Sequence, residues 1–599
     1  MIKFLIFSLF ILNNQAFATS PESSIQTCKA FSGQLQKEKN ESKKLKLVMD
    51  FIWGQWMKEY PTWATFVGFS GYDDLWPDES LENILNRKKM APCHLQLLKK
   101  INLTKLSQND KINYKLFLKK INSQIKESEF PSEYLVLDQM NGIHLEIMDI
   151  IDAAPKLNKE DFENRLKRLD RLDVYIDQNI ILLEEGLKRK VTPVKFLIKK
   201  VPAQIQALIF SNPKESPLYK VFQEMPTHIS SEEKSKLLAK AESLISSKVH
   251  PALKKLKSFI EEKYLPFCRE EISFSSLPQG SHWYHFLVEK HTTTSKTAKE
   301  IHELGLKEVT RIDQEMLQIR QKLNEKRSQS EFHQFLQTDP QFFFKTPKEL
   351  INAYQAIAKE IDPGLIKLFS DLPKLPYGVK PMADYKAPSA PTAYYQPGSF
   401  KSGRAGYFEA NTYNLNSRPK WEMEVLTLHE AVPGHHLQIS MAQEVGDLPE
   451  FRKHEFYTAY TEGWGLYSES LGDELGLYKD LYSKYGQLTY EMWRAVRLVV
   501  DTGIHSLNWS KEKALEYFME HIPKNKLQSE VEIDRYIVMP GQALAYKIGE
   551  LKIKELKKQA IKKLGPKFDI REFHKVVLQL GAVPLDLLEE EVNHWLEAK

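Results

Sequence analysis

The sequence predicts a mostly α-helical protein with one small β element, and three observations carry that expectation. Apolar residues recur at helical spacing through most of the chain, as in Phe162-Leu166-Leu169-Leu172-Ile176 and Leu237-Leu238-Ala241-Leu244-Ile245, with lysines and glutamates on the opposite faces. Proline-rich breaks occur from Pro213 to Pro217 and from Pro373 to Pro397, the second being the longest irregular stretch. After it, the segment from Ala405 to Leu415 is rich in aromatics and bounded by turn residues, which predicts a short strand.

The bulk properties bound what such a protein can do. At 599 residues and 69.7 kDa the chain can bury a large core and still carve a deep cleft. Apolar residues make up 42% and charged residues 27%, as in ordinary soluble globular proteins. The net charge of +5 is small for this length and the basic residues are interleaved with acids, so no basic stripe points to nucleic acid.

The N-terminus predicts export. Lys3 supplies a positive start, Phe4 to Leu12 form a short apolar run, and Ala16-Phe17-Ala18 is a small-x-small cleavage site, so residues 1–18 read as a signal peptide. The destination is periplasmic or secreted, and no later stretch is long and apolar enough to span a bilayer. Two helical regions are expected to follow, 19–270 and a site-bearing 271–599, together forming one compact unit. Cys28, Cys93 and Cys268 are widely separated and odd in number, which excludes a disulfide-dense scaffold and a Cys-x-x-Cys metal site. In an oxidising compartment Cys28 and Cys93 form the candidate pair.

From Pro419 to Leu437 the pattern Trp421-Val425-Leu428-Ala431 predicts a helix whose polar face presents His429 and Glu430 late in its course. In an H-E-x-x-H motif, two histidines one turn apart bind a zinc ion and the glutamate activates water. Here the segment is His429-Glu430-Ala431-Val432-Pro433-Gly434-His435-His436, so the strict spacing fails. On a straight helix His435 would point away from His429, and His436 would lie on the same face about 10 Å away. Pro433-Gly434 can kink the helix, bulge its turn and return an imidazole, which favours His435 as the second ligand and leaves His436 to contact substrate or support the site. A third donor is needed, and Glu462 lies 462 − 429 = 33 residues beyond the first histidine, room for the chain to turn back. Glu469 is the rival donor or a supporting partner. The two glycines of Glu462-Gly463-Trp464-Gly465 suggest close backbone approach rather than a solvated helix face.

With these residues, the chain resembles the domain of unknown function 885 family, bacterial proteins related to the gluzincin metallopeptidases. The resemblance runs through Tyr60-Pro61-Thr62-Trp63-Ala64-Thr65, His291-Thr292-Thr293-Thr294, the His429 to Gln438 segment, Glu462-Gly463-Trp464, Arg497 to His505, Glu532 to Tyr536 and Pro540-Gly541-Gln542-Ala543. It implies a multi-helix gluzincin-like fold with its β element beside an active-site channel, and one zinc ion held by two histidines and a glutamate.

The expected chemistry is peptide-bond hydrolysis, with Zn²⁺ on His429, His435 and Glu462 and with Glu430 as general base. His505 and Tyr536 are the candidate donors to the oxyanion, with Tyr546 behind them. Asp501 stands i, i+4 from His505 and can orient it, and Arg535 can grip a peptide carboxylate or pair with Glu532. The strand around Asn411 can hold an extended substrate by edge pairing. Two other outcomes are open: a catalytically inactive peptide-binding protein of the same fold, favoured by the broken spacing, and an amidase or esterase acting on non-peptide substrates.

Overall fold

The computed structural model describes residues 21–382, 387, 390–398, 404–446 and 448–599; the predicted signal peptide lies outside them. The chain divides into two compact units, one of residues up to 52 plus 78–125, the other of 53–77 plus 126–599. In the first, helices α1 (Pro21–Leu35) and α2 (Leu81–Leu98) pack together and are joined by a disulfide between Cys28 and Cys93, whose Cα atoms are 6.6 Å apart. Ser80 caps α2 by accepting the Asn83 N–H.

The second unit is mostly helical, as expected, and its helix starts are written in capping boxes. Asn158 with Asp161 opens α3 (Lys159–Asp170), and Thr297 with Glu300 opens α5 (Ala298–Lys322). Helix α4 (Leu172–Arg189) follows α3 after a break at Arg171, yet the stripe Phe162, Leu166, Leu169, Leu172 and Ile176 stays buried in one apolar cluster across both. That cluster also takes in Leu237, Ala241, Leu244 and Ile245. A second cluster fills the space between α5 and the long α9 (Leu481–Leu507), where Val309, Ile312 and Met316 meet Met492, Val496 and Val499. Among the described residues no helix is long and apolar enough to cross a membrane.

Three strands form one small sheet: β1 (Tyr377–Pro381), β2 (Ala393–Gln396) and β3 (Gly406–Ala410), in the order β1-β3-β2. β3 is the strand expected after the proline-rich stretch. It runs parallel to β1 and antiparallel to β2, with Tyr395 opposite Phe408. β1 and β2 lie inside the stretch read from sequence as irregular. Their pairing comes from β3 rather than from local preference, and a proline is tolerated at the last position of an edge strand. The central place of β3 also means that β1 and β2, not the segment around Asn411, are the outer strands of the sheet.

The helix expected from 419 to 437 is two helices, α6 (Met423–Glu430) and α7 (His435–Glu444), separated by a turn at 431–434. Ala431 (φ −100°, ψ −113°) and Gly434 (φ −75°, ψ −130°) leave helical geometry, and the Val432–Pro433 peptide bond is cis. The turn is closed by the His436 N–H donating to the Ala431 carbonyl. Facing α6 and α7 is α8 (Thr458–Glu469), which packs along α11 (Ala545–Leu564); α10 (Lys526–Val538) lies against α9.

Candidate metal centre

The turn at 431–434 brings the two imidazoles together. A Cβ at Gly434 would lie 1.9 Å from the His429 carbonyl oxygen, so only glycine lets the chain fold back tightly enough to start α7 beside the end of α6. The strand of backbone so exposed is held by α8: the Trp464 indole N–H donates to the Pro433 carbonyl at 2.8 Å. The His429 and His435 rings then stand 4.7 Å apart, centre to centre, and nearly perpendicular. The irregular spacing in the sequence therefore does not separate them.

Helix α8 supplies the third group. Glu462, Gly465 and Glu469 stand at i, i+3 and i+7, one stripe along the helix. The His429 ring lies against Gly465, where a Cβ would be 2.7 Å from its Cε1. From that seat Nε2 reaches Glu462 Oε2 at 3.6 Å and Nδ1 donates to Glu469 Oε1 at 2.7 Å. His435 Nε2 is 3.5 Å from the same Glu462 oxygen. Gly463 faces the other way, against Gly549 of α11, where a Cβ would be 2.5 Å from the opposing Cα. Each glycine of the Glu-Gly-Trp-Gly segment thus serves a close approach.

Ligand atoms of His429, His435 and Glu462 all lie within 4.8 Å of one another, a group that could hold a metal ion. The separations of 3.5 and 3.6 Å are long for hydrogen bonds. They match the spacing of about 3.4 Å between donors placed tetrahedrally at zinc-ligand distances. Electrostatics agree with that donor set. Burial pushes the His429 imidazole down, but the Glu462 and Glu469 carboxylates outweigh it and hold the ring at about 10. Burial acts to raise the Glu462 carboxyl, and the two imidazoles pull it well below its ordinary range. This is a seat for positive charge. Glu469, fully buried, supports His429 from behind, the usual arrangement for a ligating histidine.

The group opens on a cavity of ≈ 640 Å³. Glu430 lines it beside the histidines and accepts the Tyr395 N–H of β2 at 2.9 Å. Arg535 and Tyr546 line it as well. His436 is buried to one side, its Nδ1 hydrogen-bonded to the Tyr395 hydroxyl at 2.9 Å and its ring against Tyr377.

Other expected residues are not brought to the cavity. His505 accepts the Phe274 N–H on Nδ1 and donates from Nε2 to the Tyr536 carbonyl, so both nitrogens are used in the core. Burial depresses it to about 3. Asp501 does not orient it: that carboxylate accepts from the Tyr284 hydroxyl and the Gly541 N–H. The Tyr536 hydroxyl accepts from Arg497 Nε and Trp493 Nε1, each at 3.1 Å, and is buried behind the cavity wall rather than in it. Asn411 Nδ2 donates to the carbonyls of Ala387, Ala390 and Pro391, which fixes the approach to β2 instead of holding a ligand. What the sequence reading missed is a pair of cavity-lining arginines, Arg494 and Arg497, on α9. Their signal was two cations one turn apart, each close to an aromatic residue of the same helix, Tyr490 or Trp493.

A family model described as a bacterial protein of unknown function, domain of unknown function 885, matches residues 61–592. The chain belongs to that family. Solved structures share the fold. A candidate lipoprotein from Colwellia psychrerythraea is 27% identical, with 94% of this chain and 100% of that one aligned at a TM-score of 0.87. A candidate lipoprotein of unknown function from Shewanella oneidensis is 18% identical over 91% of this chain and 99% of that one, at a TM-score of 0.71. An oligoendopeptidase F candidate from Bacillus anthracis aligns over 87% of this chain and 96% of that one, at 10% identity and a TM-score of 0.29, too low to carry weight. No curated protein matches the chain.

Proposed function

We propose that this member of the domain of unknown function 885 family is an exported, zinc-dependent hydrolase of peptide bonds. The observation that carries the reading is the convergence of His429, His435 and Glu462 beside Glu430 at the wall of one cavity. Two imidazoles and one carboxylate are the donor set of catalytic rather than structural zinc, because a position stays open for water and substrate. Zinc bound there supplies a Lewis acid for the scissile carbonyl and a water whose pKa falls toward neutrality. Glu430 would serve as the general base that takes a proton from the attacking water and returns it to the leaving nitrogen, and the Tyr395 N–H orients its carboxylate. β2, an outer strand of the sheet, borders the cavity and could pair with an extended peptide backbone at the groups that Glu430 leaves unused. Tyr546 is the candidate donor to the developing oxyanion, in place of His505 and Tyr536.

Export is supported by the N-terminal signal pattern and by the Cys28–Cys93 disulfide, a bond at home in oxidising compartments. The likeness to candidate lipoproteins of other bacteria fits a cell-envelope location.

The test is metal analysis of protein purified without chelators, followed by hydrolysis of a short-peptide library. One zinc per chain and cleavage abolished by Glu430→Gln are expected. Binding of zinc without cleavage of any peptide would overturn the peptidase reading, and parallel assays on non-peptide amides and esters identify the alternative.

A further inference from the structure

Part of the cavity wall carries three arginines, next to the lining carboxylates Glu430, Glu462 and Glu532. Arg494, Arg497 and Arg535 all line it, and the first two are more than nine-tenths buried. Their carboxylate partners are too few. Arg494 Nη2 lies 3.3 Å from Glu469, which also serves His429. Arg497 and Arg535 share Glu532, at 3.4 and 3.9 Å. Arg497 Nη1 and Arg494 Nε, both buried, have no hydrogen-bond partner.

The guanidinium groups are held in place by rings. Arg497 lies 4.4 Å above the Tyr546 ring and 5.0 Å above Trp493; Arg494 lies 4.7 Å above Tyr490 and 5.3 Å above Trp493. Arg535 donates to the Tyr546 hydroxyl at 3.2 Å. Flat, fixed guanidinium forks with unspent donors match a carboxylate, which accepts two parallel hydrogen bonds. The wall starts one side chain from the metal ligands, because Glu469 touches both His429 and Arg494.

We propose that this arginine wall binds a carboxylate of the substrate, so that the enzyme acts on short peptides gripped by a negative group close to the scissile bond. The inference rests on the hydrolase reading given above and deepens it. The carboxylate has two possible sources, the C-terminal α-carboxylate or an acidic side chain. Arg497 and Arg535 receive it, and Tyr536, by holding Arg497 Nε, is a positioning residue.

Binding is measured by calorimetry on zinc-loaded Glu430→Gln protein, with tetrapeptides in pairs: free acid against C-terminal amide, and Glu or Asp against Gln or Asn within the peptide. One pair should show at least a ~10-fold preference for the charged member, and which pair does so identifies the source. Arg535→Gln, at a partly exposed position, and Arg497→Lys should each reduce the preference to near one. Equal binding of charged and neutral members, or a preference that survives both variants, overturns the inference. A preference that is present although Glu430-intact enzyme cleaves nothing sinks the hydrolase reading and leaves the carboxylate wall standing. Equal cleavage of free and amidated, acidic and neutral peptides does the reverse.

Discussion

His429 is addressed by two carboxylates of one helix, Glu462 on Nε2 and Glu469 on Nδ1, with Gly465 between them. Replacing Glu469 by Gln keeps an acceptor but removes the charge behind the imidazole. Zinc affinity is expected to fall by about 10–100-fold, measured by competition with a chromophoric chelator, with helix content unchanged. Glu462→Ala removes a donor outright and should lower affinity much further. An unchanged affinity in both variants would place the metal elsewhere. At this scale the sequence was most legible where chemistry clusters within a few residues, as in His429-Glu430 and Glu462. It was least legible for His505 and Tyr536, because what occupies them, the Phe274 N–H and the Arg497 guanidinium, arrives from distant segments. Arg497 stands in the sequence only as part of the family resemblance, with no role read for it, and Arg494 carries no motif at all. The Tyr490 and Trp493 rings beside them are local to α9, but the Tyr546 ring over Arg497 comes from α11, which no local pattern reveals.

Elements α6, α7 and α8 act as a clamp closed by glycines. Gly465→Ala favours α8 intrinsically, by about 1 kcal/mol, yet places a methyl group 2.7 Å from the His429 ring. The helix should therefore survive while zinc affinity drops, seen as retained far-ultraviolet circular dichroism with reduced metal content. Gly434→Ala differs, since its methyl group would meet a backbone carbonyl at 1.9 Å, and the backbone cannot step aside. A loss of about 1–3 kcal/mol or more in unfolding free energy is expected by denaturant titration, together with loss of zinc. The break itself was legible in Pro433-Gly434, though its size was not: a kink was expected and two helices are found. β1 and β2 stayed hidden in the proline-rich stretch because their strand geometry is imposed by β3 across the sheet.

Across the whole molecule, stability should depend on pH through buried neutral histidines. Burial depresses His144, His291 and His333 to about 4 and His505 and His574 to about 3. His574 has its tautomer fixed by the Leu368 carbonyl and the Tyr467 hydroxyl. Since the folded values lie below the unfolded value near 6.5, protonation favours the unfolded chain. Their contribution is complete above pH 6.5 and is lost as pH falls toward 4, by about 1.4 kcal/mol per ring per pH unit. Asp501, pushed up to about 7 by burial, works in the opposite direction, as do Asp138 and Glu424, which burial also raises, but these are three carboxyls against five rings. The apparent Tm should fall steadily from pH 6.5 to 4.5; a flat profile there would contradict the burial of these groups in neutral form. Reduction of Cys28–Cys93, whose cysteines are 65 residues apart, should cost about 4 kcal/mol on the chain-entropy scale, read as a lower denaturant midpoint. The helical class and the pairing of these cysteines were legible from periodicity and compartment.

The size of the cavity carries a last consequence. At ≈ 640 Å³ it falls in the range of small-ligand sites, so a folded domain cannot enter it. Under the proposed activity, bulk would then sort substrates before any side chain is inspected. Intact neighbours in the same compartment would be spared while fragments shed by other proteases were trimmed, and neither a propeptide nor a dedicated inhibitor would be needed to restrain the enzyme.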